Sequence, residues 1–309
     1  MFFSILLSIT LSIGLFSQSF ANINVNTTTN LIITDTCELN PYRDFNHWVN
    51  HLVFHHTGLT PLSNTLTHYL GPDMGYYTQC YLRDVIVGSS IYWTIAGGWH
   101  IYIYNVYGIT LFIEKNRAFP NLNTILKQQI LAQYSILYYA FLPVIGEFFI
   151  ENDLTRTYYY IADMDGWGNY LWTTLLYFLL VEVSVYWIHR TLHMNKFLYK
   201  AVHAAHHQFN QINTLTPWAS LAFNPIDGIL QGSPYVIHLF FVPTHYFTFL
   251  IILFFTSIWA INIHDTVWLD SEPIMGAKYH TIHHTHYHYN FGQYFIFCDW
   301  LWGTLKRRV

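Results

Sequence analysis

Charge is what this sequence has least of. Only 10% of its 309 residues are Asp, Glu, Lys or Arg, against about a quarter in soluble globular chains. That is too little polar surface to face water all round, and with 53% apolar and 19% aromatic residues the composition is that of a membrane-embedded chain. The net charge is −4, and the longest basic run is Lys306-Arg307-Arg308. A phosphate backbone needs more positive charge than this, so a nucleic-acid partner is excluded. Cysteine is nearly absent too. Cys37, Cys80 and Cys298 lie far apart with no CxxC pair, which rules out a disulfide framework and a thiolate zinc site; a Cys37–Cys80 pair in an oxidising lumen stays open. Carboxylates are missing from the familiar metal motifs: there is no Glu-x-x-His of the carboxylate di-iron bundles and no HExxH of the zinc proteases. No internal repeat, linker or low-complexity tract is present.

Apolar runs are plentiful by contrast. Residues 1–21 form a short apolar stretch ending in Ser19-Phe20-Ala21, the pattern of a signal peptide or an uncleaved signal anchor. Asn26-Thr27-Thr28 is a glycosylation sequon, suited to a lumenal segment over 22–84. Stretches at about 85–105, 130–150 and 170–188 each approach the roughly 20 residues that span a bilayer. The run at about 229–263 is too long for one pass and carries Pro234 and Pro243, so a hairpin is expected there. With 21–83 in the lumen, the cytosolic segments hold Lys115, Arg117, Lys127, Arg190, Lys196, Lys200, Lys278, Lys306, Arg307 and Arg308, and the lumenal ones only Arg43, Arg83 and Arg156. This positive-inside bias holds only if 229–263 returns to the side it left.

Histidine is the anomaly, with 19 residues gathered into short stretches. His189 and His193 form an HxxxH directly after the third apolar run. His203, His206 and His207 form an HxxHH, and His280, His283 and His284 repeat it. On a helix, residues three or four apart share a face, so each motif offers two or three imidazoles to a common point. His264, at the end of the hairpin, is a ninth candidate. Clustered polar groups beside membrane ends point to function. Nine imidazoles exceed the four that satisfy one zinc ion, so two ions are expected; imidazole suits zinc, copper, iron and nickel alike, and the ligands alone do not choose between them.

The remaining histidines have plainer explanations. His47, His51, His55 and His56 fit the surface of an amphipathic helix. His68, His100, His238 and His245 are isolated, and His286 and His288 alternate off the helical face of the third motif. Glu147 and Glu182 fall within apolar runs, where a carboxylate is either bonded to a neighbouring helix or supports a ligand; Glu182, seven residues before His189, shares its face and suits the second role.

Around these histidines the sequence resembles the fatty acid hydroxylase superfamily, and within it most closely the sterol C-5 desaturases, or lathosterol oxidases, of the plant type. The likeness runs through Tyr186 to His193, Leu198-Tyr199-Lys200, His203 to His207, Asn213 to Pro217, Leu221-Ala222-Phe223, Pro225 to Gln231, Ile261 to Asp265, Pro273 to Ala277, His280 to Thr285 and Asn290 to Trp302. It covers about 180–305 closely and the earlier runs loosely. It implies an all-α, multi-pass protein with a cytosolic-side, histidine-rich helical cap holding a dimetal centre, and a catalytic domain over 85–309. It also implies an endoplasmic-reticulum enzyme with two non-haem Fe ions and O2, fed by NAD(P)H through cytochrome b5 and its reductase, that converts a Δ7-sterol to a Δ5,7-sterol. The implied ligands are His189, His193, His203, His206, His207, His264, His280, His283 and His284. One departure stands out: the family commonly has Ala-Phe-His-Pro where this chain has Ala222-Phe223-Asn224-Pro225.

An unactivated C–H bond requires a metal–oxygen oxidant, which the cofactor supplies. The placement of the second C–H decides between desaturation and hydroxylation. A sterol would enter from the bilayer into an apolar pocket, with Trp218, Phe223 and Tyr235 as candidate walls. Sister activities remain open: a C-4 methyl oxidase, a side-chain-cleaving sterol oxygenase or a fatty acid hydroxylase. A membrane metal transporter or sensor would instead set its ligands along a transmembrane path.

Overall fold

The computed structural model describes residues 40–211, 213–265 and 272–307. The apolar start at 1–21, the sequon at Asn26 and Cys37 lie outside the described residues. Helices dominate: α1 (Pro41–His56), α2 (Thr60–Leu70), α3 (Pro72–His100), α4 (Leu122–Tyr139), α5 (Phe141–Glu151), α6 (Trp167–Met194), α7 (Lys196–Leu198), α8 (Ala204–His207), α9 (Pro225–Ile237), α10 (Tyr246–Ile263), α11 (Ala277–His286) and α12 (Phe297–Leu301). The expected helical class holds. The strands among the described residues are β1 (Thr157–Tyr158) and β2 (Thr244–His245), a two-residue parallel pair that matches Thr157 with Thr244 and Tyr158 with His245.

Helix starts follow local chemistry. Asn40 accepts from the Arg43 amide at 3.1 Å ahead of Pro41, and Asn121 accepts from the Asn123 amide at 2.8 Å; each satisfies a donor the first turn leaves open. Asn195 caps α7 through the amides of Phe197 and Leu198.

Among the described residues, three helices are long and apolar enough to cross a membrane: Leu122–Glu151, which takes in α4 and α5, Trp167–Met194 and Tyr246–Ile263. The expected run at 85–105 is not among them. It falls in the second half of α3 and a π-helical turn over Ile101–Val106, where Gly88, Ser89, Ser90, Gly97 and Gly98 dilute the apolar content. The two prolines of the hairpin region behave differently: Pro234 sits inside α9, whereas Pro243 lies in the break, between the 3-10 turn His238–Phe240 and β2.

The chain divides into two compact units. The described residues of the first are 40–83, 143–178 and 236–252; those of the second are 84–142, 179–235 and 253–307. The run 229–263 thus leaves the second unit at 236 and rejoins it at 253.

The first unit is organised by buried charge. Arg83 sets its guanidinium on both oxygens of Glu147 at 2.6 and 2.8 Å and donates to Asn46 and Asn50. Glu151 accepts from Asn46, Tyr76 and Tyr77. Glu147 is therefore bonded to a neighbouring helix and not to the histidines. On α1 the buried residues are Tyr42, Asn46, Asn50 and Phe54, one per turn, while His47, His51, His55 and His56 are exposed, as an amphipathic surface requires.

In the second unit Tyr92, Ala132, Ile136, Trp218, Ala222 and Ile261 are among the residues of an apolar core. Gln128 fastens the 213–219 segment to α4: it donates to the Thr214 carbonyl and accepts from the Thr216 hydroxyl, both at 2.7 Å.

Candidate metal centre

All nine candidate histidines belong to the second unit, and all are buried. The last two turns of α6 supply His189 and His193. A π turn over Tyr199–His203 followed by α8 supplies His203, His206 and His207. His264 follows α10 directly, and α11 carries His280, His283 and His284.

The rings form two groups. His189, His193, His203, His207 and His283 bring one ligand atom each to within 4.8 Å of one another, and so do His206, His264, His280 and His284. This differs from the expectation that each motif serves one point. Within each HxxHH the outer pair, four residues apart, goes to one group and the inner histidine to the other. His203 and His207 serve the first group and His206 the second; His280 and His284 serve the second and His283 the first. Helical geometry accounts for the split, because at 3.6 residues per turn positions i and i+4 fall 40° to one side and i+3 falls 60° to the other.

Hydrogen bonds fix which nitrogen faces inward. His189 donates from Nδ1 to the Phe291 carbonyl at 3.0 Å, His283 to the Tyr289 carbonyl at 2.8 Å and His264 to the Ala260 carbonyl at 2.6 Å. His203 donates from Nδ1 to Asp227 Oδ2 at 2.7 Å. A carbonyl or carboxylate only accepts, so each Nδ1 carries the proton and each Nε2 keeps a bare lone pair. Burial pushes His264 down to about 4 and His283 to about 3, and burial followed by the neighbouring rings takes His206, His207, His280 and His284 well below the usual histidine range, so these six rings are neutral.

This donor set fits metal ions. Among the described residues the Nε2 atoms of His189, His193 and His203 have no hydrogen-bond partner, a costly state for a buried polar atom unless something else binds it. Other Nε2 atoms crowd together: His207 and His283 at 3.1 Å, His206 and His264 at 3.2 Å, His264 and His280 at 2.9 Å, His280 and His284 at 3.1 Å. Nitrogens about 2.1 Å from a shared ion stand about 3.0 Å apart at right angles and about 3.4 Å apart at the tetrahedral angle. The observed spacings suit the right-angled case.

Two carboxylates support the centre through the segment 289–295. Glu182 accepts from the amides of Tyr294 and Phe295 at 3.0 Å each, and Asp299 from those of Phe291 and Gly292 at 2.8 and 2.9 Å. The Phe291 and Tyr289 carbonyls of this strap are the ones that hold His189 and His283. Gly292 is required in it, since a Cβ there would collide with the Phe295 carbonyl oxygen. Glu182 therefore acts on His189 through the strap without touching it. Asp227 and Asp299 were not singled out by sequence; a carboxylate at the first turn of an apolar helix, as Asp227 is in α9, was the available signal.

Asn224 binds neither group. Its Oδ1 accepts from the Ile226 amide at 2.9 Å and its Nδ2 donates to the Ala201 carbonyl at 3.3 Å, so it caps α9. His245 is buried and bonded to the Tyr159 carbonyl and Thr248, and His100 accepts from Trp218 Nε1. His286 and His288 join neither group.

An apolar cavity opens against the rings. His206, His264 and His280 of the second group and His189 of the first form part of its wall. Of the candidate wall residues Phe223 and Tyr235 line it, whereas Trp218 packs into the core beside Tyr92.

Residues 174–304 match the fatty acid hydroxylase family. The chain is 41% identical to a delta(7)-sterol-C5(6)-desaturase of Nicotiana tabacum, over 77% of this chain and 87% of that one. It is 30% identical to a delta(7)-sterol 5(6)-desaturase of Gibberella zeae over 72% and 70%, and 34% identical to a lathosterol oxidase of Rattus norvegicus over 53% and 56%. No solved structure matches it.

Proposed function

The chain belongs to the fatty acid hydroxylase family, and on that footing we propose that it is a sterol C5(6)-desaturase with a histidine-ligated pair of iron ions. The overall conversion is Δ7-sterol + O2 + 2 electrons + 2 protons → Δ5,7-sterol + 2 H2O. The observation that carries it is a single wall: four of the nine histidines, drawn from both groups, face one apolar cavity. The first ion would be held by His189, His193, His203, His207 and His283, and the second by His206, His264, His280 and His284. When bound, iron supplies the O2-dependent oxidation of an unactivated C–H bond, with electrons from NAD(P)H through cytochrome b5 and its reductase. The protein supplies position. Ile263, Ala260, Val185 and Leu221 line the cavity and would exclude water around the sterol rings, and the strap and Asp227 hold the imidazoles in place. We place the chain in the endoplasmic-reticulum membrane, with 22–84 lumenal, a catalytic domain over 85–309 and the histidines toward the cytosol; the positive-inside count supports this orientation on the condition that α3 crosses the bilayer as well.

The test is sterol analysis in a host lacking its own C5-desaturase. Expression should convert accumulated Δ7-sterols to the conjugated Δ5,7-diene, and His283→Ala should not. A hydroxylated, demethylated or side-chain-cleaved product would assign a sister oxygenase instead, and metal transport without O2 consumption would overturn the enzyme reading.

A further inference from the structure

Helix α9 carries a stripe of polar side chains four residues apart, Asp227, Gln231 and Tyr235, and its one other polar side chain, Ser233, is turned back onto the Leu230 carbonyl. Successive members stand about 6 Å apart along the axis. Asp227 is fully buried and uses Oδ2 to hold His203. Its Oδ1 accepts from Gln231 Nε2 at 2.8 Å. A carboxylate takes only donors, so this bond fixes the amide: nitrogen to Asp227, oxygen away from it. Gln231 lines the cavity, and its Oε1 has no hydrogen-bond partner among the described residues. The result is a pre-set acceptor in an apolar chamber, one helical turn from the carboxylate that holds His203.

We propose that Gln231 Oε1 accepts a hydrogen bond from the 3β-hydroxyl of the sterol, setting the C5–C6 bond against the histidine wall. The assignment rests on the sterol desaturase reading. A sterol carries one polar atom on its ring system, and C3 is two bonds from C5. With carbon–carbon bonds near 1.5 Å, the oxygen lies roughly 4–5 Å from the reacting bond, so its partner must stand beside the metal groups. The other polar side chains of the wall are less suited. Ser220 donates to the Pro217 carbonyl at 2.8 Å, Thr256 is engaged with Tyr235 at 2.7 Å, and no hydrogen bond among the described residues fixes the side chains of Ser257 and Gln293. A fixed acceptor loses little freedom on binding, and one left unpaired penalises any ligand that lacks the donor.

The experiment uses the full chain in lipid vesicles with iron, cytochrome b5 and its reductase, and compares cholest-7-en-3β-ol with its 3-deoxy and 3β-methyl ether counterparts. The wild type should prefer the alcohol by about 100-fold or more in kcat/KM. Gln231→Leu and Gln231→Met should lose about 30-fold or more on the alcohol and change little on the other two, so that the preference collapses while iron content is kept. Tyr235→Phe should retain the preference. A wild type that does not discriminate, or Gln231 variants that keep the wild-type ratio, would overturn the assignment, as would its loss in Tyr235→Phe alone. A wild type that fails to oxidise the alcohol at all brings down the desaturase reading itself, which is a separate result.

Discussion

Asp227 Oδ2 stands 2.7 Å from Nδ1 of His203, a residue 24 positions earlier, and neither side chain has any exposure. A carboxylate behind a ligating imidazole fixes its tautomer and raises its basicity, and removing one costs about 10–100-fold in metal affinity. Asp227→Ala is expected to weaken iron binding by that factor, read by competition with a chelator. An unchanged affinity would show that His203 does not need the carboxylate.

His206 and His207 are neighbours in sequence but serve different groups. His206→Ala and His207→Ala should each lower the iron content from two ions toward one per chain and abolish desaturation. Combining His207→Ala with His283→Ala, both in the first group, should remove no further iron than the stronger single change. Combining His206→Ala with His207→Ala should empty both positions, as metal analysis of the purified chain would record.

Glu182 is buried and holds two strap amides. Leaving both without an acceptor should cost about 2–4 kcal/mol, so Glu182→Ala should lower the thermal midpoint and kcat together. Glu182→Gln keeps one acceptor and should lie between. Gly292→Ala should resemble Glu182→Ala, because its Cβ displaces the same strap; normal activity in Gly292→Ala would separate the strap from the chemistry.

Arg83 and Glu147 form a buried pair at 2.6 Å. Removing one partner strands the other charge, so Arg83→Ala should destabilise by about 3–5 kcal/mol. The double change Arg83→Ala/Glu147→Ala should recover part of that loss, and a double variant no more stable than Arg83→Ala would contradict it.

Burial pushes the Asp299 carboxyl up to about 6 from 3.8, against the bonds from Thr304, Gly292 and Phe291 that pull it down. The folded chain then binds this proton more tightly than the unfolded chain. Its contribution to stability is full below about 3.9 and falls away as pH rises through 6, about 3 kcal/mol across the window. Melting curves of wild type and Asp299→Asn at matched pH should show the difference between them moving against the wild type from about pH 4 to about pH 7. A difference that stays constant, or moves the other way, would refute the shift.

The nine histidines were legible because helical spacing writes a shared face directly into sequence, as at His189 and His193. Helical spacing also separates the inner histidine of each HxxHH from the outer pair, but which group each half joins was not legible. Whether His206 or His203 turns toward α11 depends on how separate helices are placed, which no local pattern records. Glu182 was legible as a supporting residue but not its means, since the strap amides it holds lie more than a hundred residues away. Pro234 misled because it sits in the last turn of α9, where the Leu230 carbonyl that loses its helical donor accepts instead from the Ser233 hydroxyl at 2.8 Å. The 85–105 run failed for composition: glycine and serine in α3 match a helix in length but not in apolar content.

Because each HxxHH turn reaches into both groups, neither ion position can be prepared without partly preparing the other. An ion captured by His203, His207 and His283 would immobilise the short turns that also carry His206 and His280, so a second ion would meet rings whose freedom is already spent. Iron uptake by the wild-type chain is therefore expected to be cooperative, with single-ion chains scarce through its titration, and the one ion left in His206→Ala or His207→Ala should bind more weakly than either ion of the wild type.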